Sequence, residues 1–192
     1  MKTAAVILFS LICSLLSADA LISQYFDTYP GLPTGWTLSP TVTNWNTVGT
    51  NNAGGTAGEL RFQYTPMIDG TFRCISPAFD TRKVHDMTLS FRHMLDDYVT
   101  STNYTIGVQI ATNTAGPWTT LWSVTGSSDI AATAVSVPVS FELGKSQTTY
   151  IAFYFAGNSD DLNYWYIDNV LLLYNDTLGI GNWSAGIYQP VG

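Results

Sequence analysis

Cysteine, histidine and charge are all scarce in this chain. Cys13 and Cys74 are its two cysteines, and Cys13 falls in an apolar leader that reads as removable, so the remainder has no internal disulfide available. An exported domain without cross-links depends on its core, and very often on bound metal, for robustness. Cys74, within Phe72-Arg-Cys-Ile75, reads as a small buried hydrophobe and not as a reactive thiol. Charged residues make up only 11% of the chain and the net charge is −7, which argues against nucleic acid or anionic lipid as partners and permits cation binding. A helical period of 3.6 residues is missing beyond the leader. G-x-S-x-G and H-E-x-x-H are missing as well, and the glycine-rich stretch from Gly49 to Gly58 is not followed by a helix pattern, so no nucleophile, zinc or phosphate-loop enzyme signature is present.

What is there begins with a leader. Lys2 supplies a positive start, an apolar run extends from Ala4 to Leu16, and Ala18 and Ala20 form a small-residue cleavage pattern. Residues 1–20 are therefore expected to be a signal peptide cut after Ala20, and the mature chain to be secreted or on the cell surface with no membrane insertion. Residues 21–174 suit one domain with a sizeable core, and residues 175–192 read as a turn-rich linker or tail.

Aromatics make up 14% of the chain, and Thr, Ser, Asn and Gly are abundant, as in extracellular β-proteins. Apolar and polar residues alternate over Leu60–Tyr64 and Met87–Leu95. Further strands are expected at Gln24–Asp27, Trp36–Leu38, Asn44–Val48, Thr71–Ile75, Tyr104–Ala111, Trp118–Val124, Val135–Leu143, Thr149–Phe155 and Asn163–Leu173, with Glu59–Ile75 forming a hairpin around Asp69-Gly70. Short strands punctuated by turn residues predict an all-β fold, an antiparallel two-sheet jelly-roll sandwich of lectin-like type.

Several stretches in order carry a resemblance: Leu32-Pro-Thr-Gly-Trp36, Glu59-Leu-Arg-Phe62, Arg73 with Ser76-Pro77, Leu89-Ser-Phe-Arg-His93, Ala152-Phe-Tyr-Phe155 and Asn163-Tyr-Trp-Tyr-Ile-Asp168. Together they resemble the choice-of-anchor J domain, a bacterial relative of cleaved-adhesin and MAM domains, from about Phe26 to Leu173. The resemblance implies a jelly-roll sandwich on a secreted or cell-surface protein, with calcium in some relatives.

The final strand, Asn163–Leu173, poses one problem in charge. Asp168 sits between Ile167 and Val170 in a strand destined for the interior, and a bare buried carboxylate costs several kcal/mol. Asp27 and Glu59 are the expected companions, because the first and last strands of a jelly roll commonly lie side by side. With oxygens from the Gly49–Gly58 loop, the three would hold a structural calcium. The competing reading has Asp168 accepting backbone N–H bonds or pairing with Arg61 or Arg73. Trp118, Trp122, Tyr164 and Trp165, with Trp45, are candidates for a sugar-stacking platform, set against the core role that tryptophans usually take in a sandwich. Trp118 leads because it follows Gly116-Pro117 in a turn. His93, near Asp96 and Asp97, reads as a hydrogen-bonded strand histidine. The expected role is non-catalytic adhesion or recognition of carbohydrate or a cell-surface protein. A glycan-cleaving enzyme on the same scaffold and a spacer module are the alternatives.

Overall fold

The computed structural model describes residues 19–84, 86–98, 103–140 and 145–175. Most of the expected leader and tail therefore lie outside the described residues. Eleven strands make two antiparallel sheets: β1 (Asp19–Gln24), β2 (Thr37–Ser39), β3 (Trp45–Val48), β4 (Glu59–Gln63), β5 (Asp69–Ile75), β6 (Asp86–Asp97), β7 (Thr105–Ala111), β8 (Thr119–Thr125), β9 (Ile130–Val139), β10 (Tyr150–Asn158) and β11 (Leu162–Asn175). The first sheet runs β3-β4-β11-β6-β9 with β1 also on β11, and the second runs β2-β5-β10-β7-β8. The two pack face to face as the expected all-β sandwich. Among the described residues no helix is long and apolar enough to cross a membrane.

The core lies between the sheets and is largely aromatic. Phe62 stacks on Phe155 with centroids 4.4 Å apart, and Trp165 sits 5.8 Å from Trp45 and 6.1 Å from Phe153. Cys74 is fully buried among these residues, as expected of a small hydrophobe, and burial raises its thiol pKa. Alternation decides which side chains enter: on β6, Met87, Leu89, Phe91, His93 and Leu95 are buried while Thr88, Ser90, Arg92 and Met94 are more exposed. Pro138 is tolerated in β9 because that strand is an edge.

Three expectations are corrected. Glu59–Ile75 is not a hairpin: β4 pairs with β3 and β11 in the first sheet, whereas β5 pairs with β2 and β10 in the second. The connection through Pro66 crosses the sandwich. Gln24–Asp27 is not a strand, since β1 ends at Gln24 and Phe26 takes a φ of 54°, outside the extended region. β9 begins at Ile130, five residues before the expected start, and residues 141–144 of that expected strand lie outside the described residues.

Candidate functional site

β11 meets two partners in succession along one edge. Its first half pairs with β4 from Tyr164↔Gln63 to Ile167↔Leu60, and its second half pairs with β1 from Val170↔Gln24 onward. The seam between them falls at Asp168 and Asn169, where the pairing with β6 also shifts register. Continuing the β4 register by one residue sets Asp168 beside Glu59, and on its other side Asp168 pairs with Arg92. Asp27 follows the end of β1. The chain thus brings Asp27, Glu59 and Asp168 to one seam, under the loop that precedes β4.

That loop is drawn tightly over the carboxylates. Glu59 is fully buried and organises it, accepting hydrogen bonds from Thr50 Oγ1 at 2.5 Å, Asn52 N at 2.9 Å, Asn52 Nδ2 at 3.0 Å and Ala53 N at 2.8 Å. Thr56 Oγ1 donates to Asp27 at 3.0 Å, and Arg92 Nε donates to the Ala53 carbonyl at 3.0 Å. Gly58 takes a φ of 121°, and a Cβ there would lie 2.7 Å from the Phe26 carbonyl oxygen. Only glycine satisfies both demands. Phe26 and Asn169, with φ of 54° and 52°, are the non-glycine residues in left-handed backbone among those described, and each adjoins one of the aspartates. Such conformations persist where surrounding structure holds them and cluster at functional sites.

Asp168 is fully buried. Its Oδ1 accepts from Asn169 N at 2.6 Å, but Oδ2 has no hydrogen-bond partner. Burial pushes its pKa up to about 6; the Asn169 N–H opposes this, the Glu59 and Asp27 carboxylates add to it, and Arg92 opposes it. Neither Arg61 nor Arg73 is its partner. Arg61 donates to Asn46 and Gln63, and Arg73 lies on the other sheet. The facing cation is Arg92, which no short-range pattern singled out. Among the described residues, no three His, Cys, Asp or Glu side chains converge closely enough to hold a metal unaided, and Glu59 already spends both oxygens on the loop. A cation here would rest on Asp168 and Asp27 together with other oxygens.

The aromatic candidates separate. Trp165 is fully buried and Trp45 is 3% exposed, so both are core residues and neither can stack on an external ligand. Their indole Nε1 atoms are buried without partners. Trp122 points inward against Phe91 at 5.3 Å and His93 at 5.0 Å, and is likewise removed from the platform. His93 departs from its expected role, because its buried Nδ1 has no partner and burial lowers its pKa to about 4. Tyr164 is half-buried on the outer face of the first sheet, with the Arg61 guanidinium 5.2 Å from its centroid and Tyr64 at 6.2 Å. Tyr64 also lines a pocket of about 270 Å³ with Tyr98, Asp160, Leu162 and Asn163.

Trp118 stands apart from these. It is half-buried just before β8, and the Arg73 guanidinium lies 5.4 Å from its ring centroid. Arg73 is on the outer face of the second sheet, since its neighbours Phe72 and Cys74 enter the core. Its Nε donates to Gln109 Oε1 on β7 at 2.8 Å, and Gln109 Nε2 donates to Thr120 Oγ1 on β8 at 3.4 Å. The small residue Ala152 on β10, between Ile75 and Gln109 in register, leaves room for the arginine to cross. Beside it is an open depression of about 460 Å³ lined by Thr37, Leu38, Ser39, Ile75, Thr114 and Ala115. In the sequence, Arg73 figured as a site residue only as a partner for Asp168, and Gln109 was not singled out. The trace they left was alternation along β5 and β7, which sets a charged residue and an amide on a face otherwise occupied by small and hydroxylated residues.

No protein-family model matches the sequence, and no curated protein matches it. Solved structures do match in fold. The K3 cleaved adhesin domain of Lys-gingipain from Porphyromonas gingivalis w83 is similar with a TM-score of 0.57 at 15% identity, over 82% of this chain and 99% of that one. The CBM22-1 xylan-binding domain of Xyn10C from Paenibacillus barcinonensis is similar with a TM-score of 0.52 at 11% identity, over 85% and 99%. A cyclase from Fischerella sp. TAU is similar with a TM-score of 0.53 at 14% identity, over 83% and 98%. At these identities the likeness is one of fold.

Proposed function

We propose that this chain is an exported, non-catalytic recognition module that binds carbohydrate, built on a scaffold related to cleaved-adhesin domains and akin to choice-of-anchor J domains. The observation that carries the reading is the outer face of the second sheet, where Trp118 offers part of its ring beside the Arg73–Gln109–Thr120 chain and the adjoining depression. A half-exposed indole next to fixed polar donors suits a sugar, whose C–H face packs on the ring while its hydroxyls meet the donors. The fold supports the reading without establishing it, because one scaffold hosts many functions: among its likenesses are an adhesin domain, a xylan-binding domain and a cyclase. The apolar leader supports export. The test is a glycan array probed with the purified chain and with Trp118→Ala. Sugar binding that is lost in the variant supports the site, and an array without a hit rejects it. Turnover of glycosides, esters or peptides is expected to be absent, and hydrolysis of a polysaccharide lost on changing two neighbouring carboxylates would replace this reading with an enzymatic one.

A structural calcium at the seam is part of the same proposal. The residues fit in one respect that the structure displays, the orphaned buried Oδ2 of Asp168, with the Glu59 and Asp27 carboxylates near enough to raise that group's pKa. Asp168 and Asp27 would hold the ion, while Glu59 keeps the loop closed over them. Bound there, calcium would add positive charge to that of Arg92 and would link Asp168 on β11 to Asp27 in the segment after β1.

A further inference from the structure

Arg73 is placed unlike the other arginines of the sandwich. Arg82 pairs with Asp80 at 2.5 Å, and Arg92 faces Asp168. Arg61 is bonded to Asn46 and Gln63. Arg73, half-buried, has no carboxylate partner among the described residues. Its Nε is taken by Gln109, whose amide is held in turn by Thr120, so the guanidinium is fixed in direction while its terminal nitrogens keep their donors. The outward positions around it carry no acid: Ser39, Tyr154, Gly107 and Ser123 share its row across the sheet, and Thr37, Ile75, Ala152, Gln109 and Thr120 the next. Asp69, four residues along β5, is the acidic outward position on these strands. Burial lowers the Arg73 pKa and the facing Tyr154 opposes that shift. The charge is therefore partly desolvated without a counter-charge.

A fixed, planar fork of donors matches a carboxylate, which accepts two parallel hydrogen bonds from it. The surroundings decide which carboxylate. The depression beside Arg73 has an apolar floor at Ile75 and hydroxyls at Thr37, Ser39 and Thr114, with the Trp118 ring against the guanidinium. Hydroxyl-rich rims and an aromatic flank suit a sugar ring. An acidic peptide bound by strand addition would lie along a sheet edge, and the edge strand that lines the depression, β2, offers only three residues.

We propose that this face binds a carboxylate-bearing sugar, a uronate residue of an acidic polysaccharide, with the Arg73 fork on the carboxylate and the ring in the depression beside Trp118. This rests on the carbohydrate reading above and names its ligand class. The chain carries a net charge of −7, so polyanions are repelled at long range and capture depends on the local site.

The test is titration calorimetry of the purified chain with polygalacturonate and polyglucuronate, their methyl esters, and the neutral galactan and glucan. Poly-L-glutamate serves as a carboxylate control. Binding is expected to the uronates and to be weakened about tenfold or more by esterification and by Arg73→Gln, with an intermediate loss for Arg73→Lys, which keeps charge without the fork. Melting temperatures of both variants should stay close to the parent's, and a variant that unfolds is replaced by the ester comparison, which needs no mutation. Neutral glycans bound as tightly as uronates and indifferent to Arg73 would overturn this inference while leaving the carbohydrate reading. Poly-L-glutamate bound as well as the uronates would overturn it in favour of an acidic-protein ligand, and no binding of any polysaccharide would overturn both.

Discussion

A Cβ added at Gly55 would stand 2.6 Å from Oδ2 of Asp168, inside any tolerated contact. Gly55 also takes a φ of 114°, which L side chains rarely adopt. Gly55→Ala therefore meets backbone strain and a carboxylate at once. The expected result is a loss of about 2–3 kcal/mol in denaturant unfolding. Gly31 has the same φ of 114° but nothing within 4 Å of an added Cβ. Gly31→Ala isolates the backbone component, and a variant at Gly55 no worse than the one at Gly31 would show that the loop does not press on Asp168.

Calcium should stabilise the chain through Asp168. If the ion binds only the folded state and is present at about 100 times its dissociation constant, linkage gives roughly 2.7 kcal/mol. For a domain of this size that raises the melting temperature by about 5–10 °C. Melts in EDTA and in millimolar calcium, repeated with Asp168→Ala, check it. Identical parent melts in the two buffers remove the calcium, and a shift that survives in the variant puts the ion elsewhere.

Two buried groups give opposing pH dependences in EDTA. His93, held at about 4 by burial, is kept neutral in the fold, so its contribution is complete above the ordinary histidine value near 6.5 and is lost as pH falls from there toward 4. Asp168, raised to about 6, does the reverse: its protonated form suits the fold, so stability is lost as pH rises from about 4 through 6. Each effect is on the order of 1–2 kcal/mol after allowance for solvent screening. The parent should change little between pH 8 and pH 5. His93→Leu should become more stable at pH 5 than at pH 8, and Asp168→Asn less stable there. Chemical unfolding of the three proteins at both pH values is the measurement, and parallel behaviour of the two variants would contradict the assignment.

The two-sheet sandwich was legible because alternation is a local property, and Leu60, Phe62, Leu89 and Phe91 enter the core where their period places them. The anomaly of Asp168 was legible for the same reason, since a charge inside an apolar strand is visible without a structure. The seam was not, because it arises where two strands distant in sequence, β1 and β4, share one edge of β11, and neither was Arg92, which β6 brings to Asp168 from the opposite edge. The supposed hairpin failed on a similar point. Asp69-Gly70 reads locally as a turn, yet both residues are paired within β5 and the chain turns before them, and no local signal says which sheet it enters. Likewise, composition marks tryptophans as ring surface and cannot say which side of a sheet they occupy.

The sharpest division lies between Trp165 and Trp118. Trp165, fully buried between Trp45 and Phe153, contributes contact on every side, so Trp165→Ala should cost about 3–5 kcal/mol. Trp118 is half-exposed on the outer face of the second sheet and touches the Arg73 guanidinium. Its truncation removes one cation–π contact of about 0.5–1 kcal/mol and leaves no cavity in the core. Trp118→Ala should therefore melt within a few degrees of the parent while weakening carbohydrate binding about tenfold, from the lost ring surface and a looser Arg73. Melting curves and calorimetric titrations on both variants decide it. A large destabilisation by Trp118→Ala would make that ring part of the packing and remove it from the binding face, whereas unchanged binding in a stable variant would move the ligand away from the second sheet.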